Sequence, residues 1–174
     1  MDDMDHRILY AAHAWGADPR VASAARGLSL AGEHGALWLA AGLAGAAADG
    51  ARRGAWLRGT ALVAGAHLGS MAVKRIVRRP RPTQVPPLVR TAGRHSFPSS
   101  HATSAAAAAV AFGALGVSAC TPVAAAMCLA RLVVGVHWPT DVAAGAALGA
   151  LTARAGARWV SGGAPGTSYA GRPA

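Results

Sequence analysis

The sequence predicts an all-α protein: a polytopic transmembrane helical bundle of about five spans, preceded by short interfacial helices. Charged residues make up only 14% of the 174 residues, whereas a typical soluble domain contains about 25%. No residue from 102 to 130 carries a formal charge, and such a stretch is hard to explain in water. No strand pattern and no internal repeat is visible, so helices are the predicted elements.

Residues 1–33 are predicted to form short amphipathic helices. Four apolar residues can share one face of the first helix: Ile8, Leu9, Ala12 and Trp15. Asp18 and Pro19 provide a cap and a first-turn proline for a second helix over about residues 19–30. These helices lie either in the membrane interface or against the protein core, and the sequence leaves both alternatives open.

The first two predicted spans lie before the polar centre of the chain. Residues 35–48 are uncharged, but they reach the roughly 20 residues that a span needs only by extension back through Leu28. The second span covers residues 59–73 and ends directly before Lys74. A proline-rich segment from Val77 to Ser96 follows, and its four prolines predict a long loop rather than a helix.

The remaining spans follow this loop. Residues 102–130 are too many for one straight span, so we predict two helices there, with a turn marked by Gly116 and by Thr121-Pro122. The last span covers about residues 139–153. An alanine-rich soluble helical bundle is the alternative fold, and the long uncharged stretch argues against it.

The predicted elements form a single membrane-embedded domain over residues 1–160, and the Gly/Pro/Ser-rich tail at 161–174 is expected to be flexible. The formal net charge is +10. Its basic residues concentrate between Lys74 and Arg94, between apolar segments, and do not form a tail. This distribution favours a local anion site over nucleic-acid binding.

The first functional cluster contains Lys74, Arg81 and Pro82. Lys74 ends an apolar helix and Arg81 lies in a proline-stiffened loop, so both cations can point at one phosphate. Contact with lipid headgroups is the alternative for this basic region. Headgroup contact or solvation is the prediction for its other arginines: Arg75, Arg78, Arg79, Arg90 and Arg94.

The second cluster is Ser99, Ser100 and His101, which precede the alanine-rich helix. Free backbone N–H groups at a helix start attract anions. Ser99 or Ser100 therefore either caps the helix or donates to a phosphate oxygen. His101 lies at the mouth of this site, where an imidazole can donate a proton near neutral pH.

The third cluster is Arg131, His137 and Asp141. Pro139 suits a first helical turn, which brings Asp141 close to His137. A carboxylate that accepts from one imidazole nitrogen fixes the tautomer and leaves the other nitrogen free to attack. Arg131 can return to the same face as a third cation. A buried His–Asp pair that closes a helix end is the alternative.

Several other polar residues lie outside these three clusters. His67 is interpreted as a core histidine, and His95 lies near enough to the second cluster to touch substrate. The pair Glu33-His34 has no predicted role. No zinc-ligand spacing occurs in the sequence, so neither a metal nor another cofactor is predicted.

The three clusters resemble the motifs of the type 2 phosphatidic acid phosphatase (PAP2) family, whose superfamily also includes vanadium haloperoxidases. The family's Lys-x6-Arg-Pro motif matches from Lys74 to Pro82. Its Pro-Ser-Gly-His motif matches with Ser100 in place of glycine, and its Ser-Arg-x5-His-x3-Asp motif matches with Ala130 in place of serine. The order and the internal spacings agree throughout residues 74–141.

The resemblance implies a helical fold and metal-independent hydrolysis of a phosphate ester. It implies that His137 attacks phosphorus to form a phosphohistidine and that Asp141 orients it. His101 would protonate the leaving group and then activate the water that releases phosphate. The phosphoryl oxygens would be held by five residues: Lys74, Arg81, Ser99, Ser100 and Arg131.

Membrane members of the family act on lipid phosphates and polyprenyl diphosphates, so the expected partners are the bilayer and a polyprenyl-linked or phospholipid phosphate. Small size and an Ala/Gly/Arg-rich composition also resemble the short actinobacterial members. Five arginines predict a cytoplasmic face, which leaves the active site on the extracytoplasmic face of the plasma membrane: Arg52, Arg53, Arg58, Arg154 and Arg158. The sequence does not indicate whether the chain forms a homo-oligomer.

Two competing functions belong to other classes. A vanadate-dependent haloperoxidase would share the three clusters, but the apolar segments argue against it. A non-catalytic lipid-binding membrane protein would share the apolar segments, but the intact set of His101, His137 and Asp141 argues against it.

Overall fold

The computed structural model describes residues 3–91 and 93–160. Within these residues the chain forms helices and no strand, apart from an isolated bridge between Pro80 and His95. The α-helices are α1 (Asp3–Ala14), α2 (Pro19–Ala31), α3 (Ala36–Ala48), α4 (Arg53–Val77), α5 (Ser100–Gly113), α6 (Cys120–Val133), α7 (Pro139–Ala155) and α8 (Ala157–Val160). The predicted all-α class is confirmed, while the predicted flexible tail at 161–174 lies outside the described residues.

Helix α5 lies at the centre of the bundle, where it contacts α4, α6 and α7. Most of its alanines are buried, and Ala105, Ala107 and Ala108 are 0% exposed. Small side chains let helix backbones approach closely. On α7, a Cβ atom at Gly145 or Gly149 would collide with backbone oxygens of the segment that carries α5. These two helices therefore pack backbone against backbone.

Four helix ends meet at one end of the bundle. Helices α4 and α6 end there and contribute Lys74 and Arg131 from their last turns. Helices α5 and α7 begin there, and the backbone N–H of Ser99 donates to the carbonyl of Asp141 at 3.0 Å. The two N-termini add partial positive charge to the two side-chain cations. This end of the bundle therefore suits an anion.

Residues 32–35 form a turn, so the predicted extension of the first span back through Leu28 is wrong. Helix α2 ends at Ala31, and His34 and Gly35 have φ values of 53° and 76°. A continuous right-handed helix does not contain this left-handed conformation. None of the described helices is both long enough and apolar enough to cross a bilayer. The number of spans stays a prediction.

The helices after the loop lie close to their predicted positions, whereas α4 begins at Arg53 and not at residue 59. Gly116 has a φ of 87° and lies in the turn between α5 and α6. Thr121 and Pro122 lie in the first turn of α6. The last predicted helix, at residues 139–153, lies within α7.

Helices α1 and α2 pack against the rest of the bundle, α1 on α6 and α7 and α2 on α6. Asp18 caps α2 as predicted, because its side chain accepts from the backbone N–H of Arg20 at 2.7 Å. The apolar face predicted for α1 is only half correct. Leu9 and Ala12 are buried, whereas the two other members of that face are exposed: Ile8 and Trp15.

The polar segment between α4 and α5 is the predicted long loop, and it covers residues 78–99. Hydrogen bonds tie it to the connection between α6 and α7. The backbone N–H of Leu88 donates to the carbonyl of Val134 at 3.0 Å, and the indole N–H of Trp138 donates to the carbonyl of Pro80 at 3.2 Å. The loop is therefore held over the end of the bundle where the four helix ends meet.

Candidate active site

A cavity of about 400 Å³ collects residues from all three sequence clusters at this end of the bundle. One side of it, which we call the motif wall, consists of Lys74, Arg81, Ser100, His101, Arg131 and His137. The other side, which we call the N-terminal wall, comes from α2 and the turn after it and consists of Arg26, Ser29, Leu30, Glu33 and His34. The sequence predicted the first wall and not the second.

His137 lies in the α6–α7 connection and is only 2% exposed. Its Nε2 atom is 3.5 Å from Nη1 of Arg81, and its Nδ1 atom is 3.5 Å from Oδ2 of Asp141. Nδ1 therefore faces a carboxylate, while Nε2 faces the guanidinium that would hold a phosphate. Nε2 is therefore the imidazole nitrogen that faces the cations, and the predicted role of His137 as nucleophile stays a prediction.

The protonation state of His137 also suits a nucleophile. Burial lowers the pKa of this imidazole well below its ordinary value, and the cations Arg131, Arg81 and Lys74 lower it further. A neutral imidazole has a free lone pair on one nitrogen. His137 therefore keeps its nucleophilic form at neutral pH.

Asp141 is fully buried, and its shortest hydrogen bonds go to groups other than His137. Its Oδ2 atom accepts from the backbone N–H of Trp138 at 2.9 Å, and its Oδ1 atom accepts from Nη1 of Arg79 at 2.9 Å. Its 3.5 Å separation from His137 Nδ1 exceeds ordinary hydrogen-bond length. The predicted pairing of Asp141 with His137 is present as a close charge contact, and other residues hold the carboxylate in place.

Arg79 connects Asp141 to the N-terminal helix. While Nη1 of Arg79 binds Asp141, its Nη2 atom binds Oδ2 of Asp5 at 2.8 Å. Thr140 binds the same carboxylate twice, through its backbone N–H at 3.0 Å and its hydroxyl at 2.6 Å. The prediction that Arg79 contacts headgroups or solvent is wrong, because it bridges two buried carboxylates. Arg79 is a positioning residue for Asp141.

The ionisation of Asp5 supports this network. Burial raises the pKa of Asp5, but hydrogen bonds from Thr140 and Arg79 outweigh burial and leave its pKa lowered. Sequence reasoning missed Asp5, although a signal for it exists. Asp5 lies four and seven residues before Leu9 and Ala12, so it shares their buried helix face. A carboxylate on a buried apolar face needs a partner.

The three predicted phosphate-binding cations converge on the cavity. Lys74 is 9% exposed, and its Nζ atom donates to the carbonyls of His95 and Ser96 at 3.4 Å. Arg81 donates to the carbonyl of Val136 at 2.8 Å. Arg131 is 4% exposed, and its Nε atom has no hydrogen-bond partner among the described residues. Arg131 therefore retains a buried donor for an anion.

The two predicted serines occupy different positions. Ser100 lines the cavity. Ser99 is 0% exposed, and its hydroxyl accepts from the backbone N–H of Ala102 at 3.5 Å, which is the capping geometry at the start of α5. The phosphate-binding role of both serines stays a prediction. Ala130, which stands where the family has a serine, is buried.

His101 is joined to the N-terminal wall. Its Nε2 atom lies 2.9 Å from the carbonyl oxygen of Ser29. A carbonyl only accepts, so Nε2 carries a proton and Nδ1 remains for proton transfer. The close approach requires a glycine at position 32, where a Cβ atom would come within 2.8 Å of the His101 ring.

The other polar residues divide between cavity and loop. His67 lies in α4, is bonded to the Ser104 hydroxyl at 3.3 Å and also lines the cavity. Arg90 lines the cavity too, and its predicted contact with headgroups or solvent stays a prediction. His95 contributes its carbonyl to Lys74, and its contact with substrate stays a prediction.

A fold and a site of this kind define a phosphoric ester hydrolase, and comparison with known proteins identifies the family. The PAP2 superfamily matches residues 54–163. The chain belongs to this superfamily, as the three sequence clusters predicted, and it is a PAP2 phosphatase.

Two curated relatives are closely similar to this chain. The decaprenylphosphoryl-5-phosphoribose phosphatase of Mycolicibacterium smegmatis is 47% identical over 130 residues, which cover 73% of this chain and 72% of that protein. The protein of the same name from Mycobacterium tuberculosis is 44% identical over 135 residues, which cover 76% of each chain.

A solved structure shares the fold. The crystal structure of a transmembrane PAP2 type phosphatidylglycerolphosphate phosphatase from Bacillus subtilis superposes with a TM-score of 0.75. The match covers 92% of this chain and 84% of that chain, at 24% sequence identity. At this identity the likeness establishes the common helical architecture.

Proposed function

We propose that this PAP2 phosphatase hydrolyses the phosphate monoester of a polyprenyl-linked sugar phosphate, with decaprenylphosphoryl-5-phosphoribose as its substrate in the synthesis of cell-wall arabinan precursors. The observation that carries the proposal is the convergence of His137, His101 and the three cations on one cavity. The names of the relatives at 44% and 47% identity support the choice of substrate.

The first chemical step is attack on phosphorus by Nε2 of His137. The bond from phosphorus to the sugar oxygen breaks as the bond from phosphorus to nitrogen forms, which produces a phosphohistidine. Lys74, Arg81 and Arg131 hold the equatorial oxygens, where negative charge is concentrated in the transition state. Asp141 stabilises the imidazolium that forms.

His101 serves both halves of the reaction. In the first half it gives a proton to the departing sugar oxygen. In the second it takes a proton from the water that attacks phosphorus, and the phosphorus–nitrogen bond breaks to release phosphate and free His137. An acid must be protonated, but burial and then repulsion from the nearby guanidinium of Arg131 lower the pKa of His101 to about 3. The phosphate dianion offsets that repulsion when it lies between them, so substrate binding itself prepares the acid.

We also propose that the protein lies in the plasma membrane with its active site on the extracytoplasmic face. Large apolar side chains outside the cavity lining are exposed on α3, α4, α6 and α7: Leu43, Leu57, Leu68, Ile76, Leu129 and Leu151. Apolar side chains exposed on several helices are expected of a protein that contacts lipid. Arg53 and Arg154 lie at the start of α4 and the end of α7, opposite the cavity. The positive-inside rule assigns that end to the cytoplasm.

The test is phosphate release by the purified protein in detergent from a panel of lipid phosphates. The panel contains decaprenylphosphoryl-5-phosphoribose, undecaprenyl diphosphate, phosphatidic acid and phosphatidylglycerophosphate. We expect the highest kcat/KM for the first substrate, with activity unchanged by EDTA. A preference for one of the other three would replace the substrate assignment, and loss of activity in EDTA reversed by Mg²⁺ would contradict the metal-independent mechanism.

A further inference from the structure

The N-terminal wall contains a carboxylate in a cavity that otherwise attracts anions. Glu33 is the carboxylate among the described residues that line the cavity, where Arg26, Lys74, Arg81 and other cations also lie. It forms no ion pair within 4.0 Å in the described part of the chain. It lines the same cavity as Arg131 and His101. The negative charge of Glu33 therefore repels a phosphate group that binds next to it, at the N-terminal wall.

The reaction geometry determines which part of the substrate meets Glu33. In phosphoryl transfer the attacking and leaving atoms lie roughly in line on opposite sides of phosphorus. His137 is the attacking group, so the leaving oxygen lies on the side of the acid, His101. His101 is hydrogen-bonded to the carbonyl of Ser29 at 2.9 Å and is in contact range of position 32. The leaving group is therefore bounded by residues 29–34.

The side chains of this segment suit a leaving group that carries hydroxyls. An ionised carboxylate such as Glu33 only accepts hydrogen bonds, and sugar hydroxyls supply donors to it. The hydroxyl of Ser29 is buried and has no hydrogen-bond partner among the described residues, although Ser29 lines the cavity. His34 lines the same wall in a left-handed conformation, with a φ of 53°. A strained non-glycine residue beside a binding cavity is consistent with a functional constraint.

We propose that Glu33, together with Ser29 and His34, forms a subsite for the hydroxyl groups of the leaving alcohol and selects sugar monophosphates against diphosphates. The inference rests on the proposed function and adds to it a structural basis for substrate specificity. In a polyprenyl diphosphate the leaving group is itself a phosphate, which would lie against Glu33 and be repelled. In a sugar monophosphate the leaving group is a hydroxylated ring, which Glu33 binds.

The test uses two substrates with the same lipid: farnesylphosphoryl-5-phosphoribose and farnesyl diphosphate. We expect Glu33→Gln to lower the ratio of their kcat/KM values, sugar substrate over diphosphate, by about tenfold or more, since a hydrogen bond to a charged group is lost. Activity on the diphosphate alone should rise, because the repulsion is removed. Glu33 is exposed, so the variant should fold.

Two controls separate charge from structure. Glu33→Asp keeps the carboxylate and should restore most of the ratio. Arg20→Gln alters an exposed charge on α2, the helix before the Glu33 turn, at a position outside the cavity, and should leave both activities unchanged. In addition, ribose 5-phosphate should inhibit the wild-type protein more strongly than 2-deoxyribose 5-phosphate, and Glu33→Gln should reduce that difference.

The outcomes distinguish this inference from the proposed function. A wild-type protein that does not cleave the sugar substrate overturns the proposed function. A wild-type protein that cleaves it, with the same substrate ratio in Glu33→Gln, overturns the hydroxyl subsite and leaves the proposed function intact. A lower ratio that Glu33→Asp restores supports the subsite.

Discussion

The two walls of the cavity differ in burial, in charge and in their relation to the family. On the motif wall, Lys74, Arg131 and His137 are at most 9% exposed. On the N-terminal wall, Glu33 and most of its neighbours are exposed. The PAP2 superfamily match begins at residue 54, so it contains the first wall and excludes the second.

This difference indicates separate roles for the two walls, the motif wall in the chemical step and the N-terminal wall in substrate recognition. Buried cations and imidazoles act strongly on a phosphate because solvent does not screen them, so the motif wall suits a reaction common to many substrates. Exposed side chains at the mouth can change without disturbing the core, so the N-terminal wall suits recognition of the group beyond the phosphate. Asp5 is the exception: it comes from the N-terminal segment but acts on the motif side through Arg79.

The largest expected effect tests the centre of the motif wall. His137→Ala should lower kcat by more than about 10⁴-fold, because the nucleophile is lost. Wild-type protein mixed rapidly with ³²P-labelled substrate and quenched in base should retain acid-labile label, and the variant should retain none. An unchanged thermal unfolding midpoint would show that the variant folds. Wild-type phosphate release from folded variant protein would remove the nucleophile assignment.

A smaller effect is expected from one cation of the same wall. Arg131→Gln should lower kcat/KM roughly 10²- to 10³-fold, because a buried donor to the transition state is lost. Arg131→Lys should recover only part of this, since an ammonium group lacks the planar two-point geometry. Arg154→Gln is the matched control, because this exposed arginine lies at the opposite end of the bundle. Equal losses at the two positions would contradict a specific role for Arg131.

A smaller loss of activity than at Arg131 is expected for Arg79, which links Asp5 of the N-terminal helix to Asp141. Arg79→Gln should lower kcat roughly 10- to 100-fold, because a charge-assisted hydrogen bond to Asp141 is lost. Without the guanidinium, the Asp141 carboxylate stabilises the His137 imidazolium more strongly and raises its pKa. The acid limb of kcat/KM should therefore move to higher pH.

If Arg79 only stabilised the fold, Arg79→Gln would lower kcat without moving the acid limb of the pH profile. Asp5→Asn removes the second carboxylate but keeps an acceptor for Thr140, so it should cause a smaller loss in kcat than Arg79→Gln. Arg75→Gln is the matched control, since this neighbouring arginine is exposed and makes no side-chain bond to Asp141. An acid limb that stays in place in Arg79→Gln would contradict the positioning role.

The motif wall could be predicted from the sequence because its information is local. Prolines, helix ends and fixed spacings indicate where Lys74, Arg81, His101 and His137 lie along the chain, and the bundle brings the helix ends together. Arg79 was misplaced for the opposite reason. Its partners lie 62 and 74 residues away, and no local pattern indicates which arginine of a basic run turns inward.

The N-terminal wall could not be predicted for a related reason. Glu33 and His34 are adjacent in the sequence, but their role depends on the turn that brings them near His101. That turn was missed because the apolar stretch from Leu28 suggested a continuous helix. The left-handed backbone at His34 interrupts the helix, and a non-glycine residue in this conformation has only a weak sequence signal.

The smallest expected effect is on the free energy of unfolding, and it tests how closely the helices are packed near each wall. Gly149→Ala, under the motif wall, should lower the free energy of unfolding by roughly 1–3 kcal/mol, because the new Cβ collides with the carbonyl of Thr103 and α7 must move away from α5. Gly27→Ala, on the N-terminal side, has no heavy atom within 4 Å of the new Cβ. It should stabilise the protein by up to about 1 kcal/mol through helix propensity. Denaturant titration in detergent measures both, and a change of the same sign at both sites would contradict the predicted difference in packing.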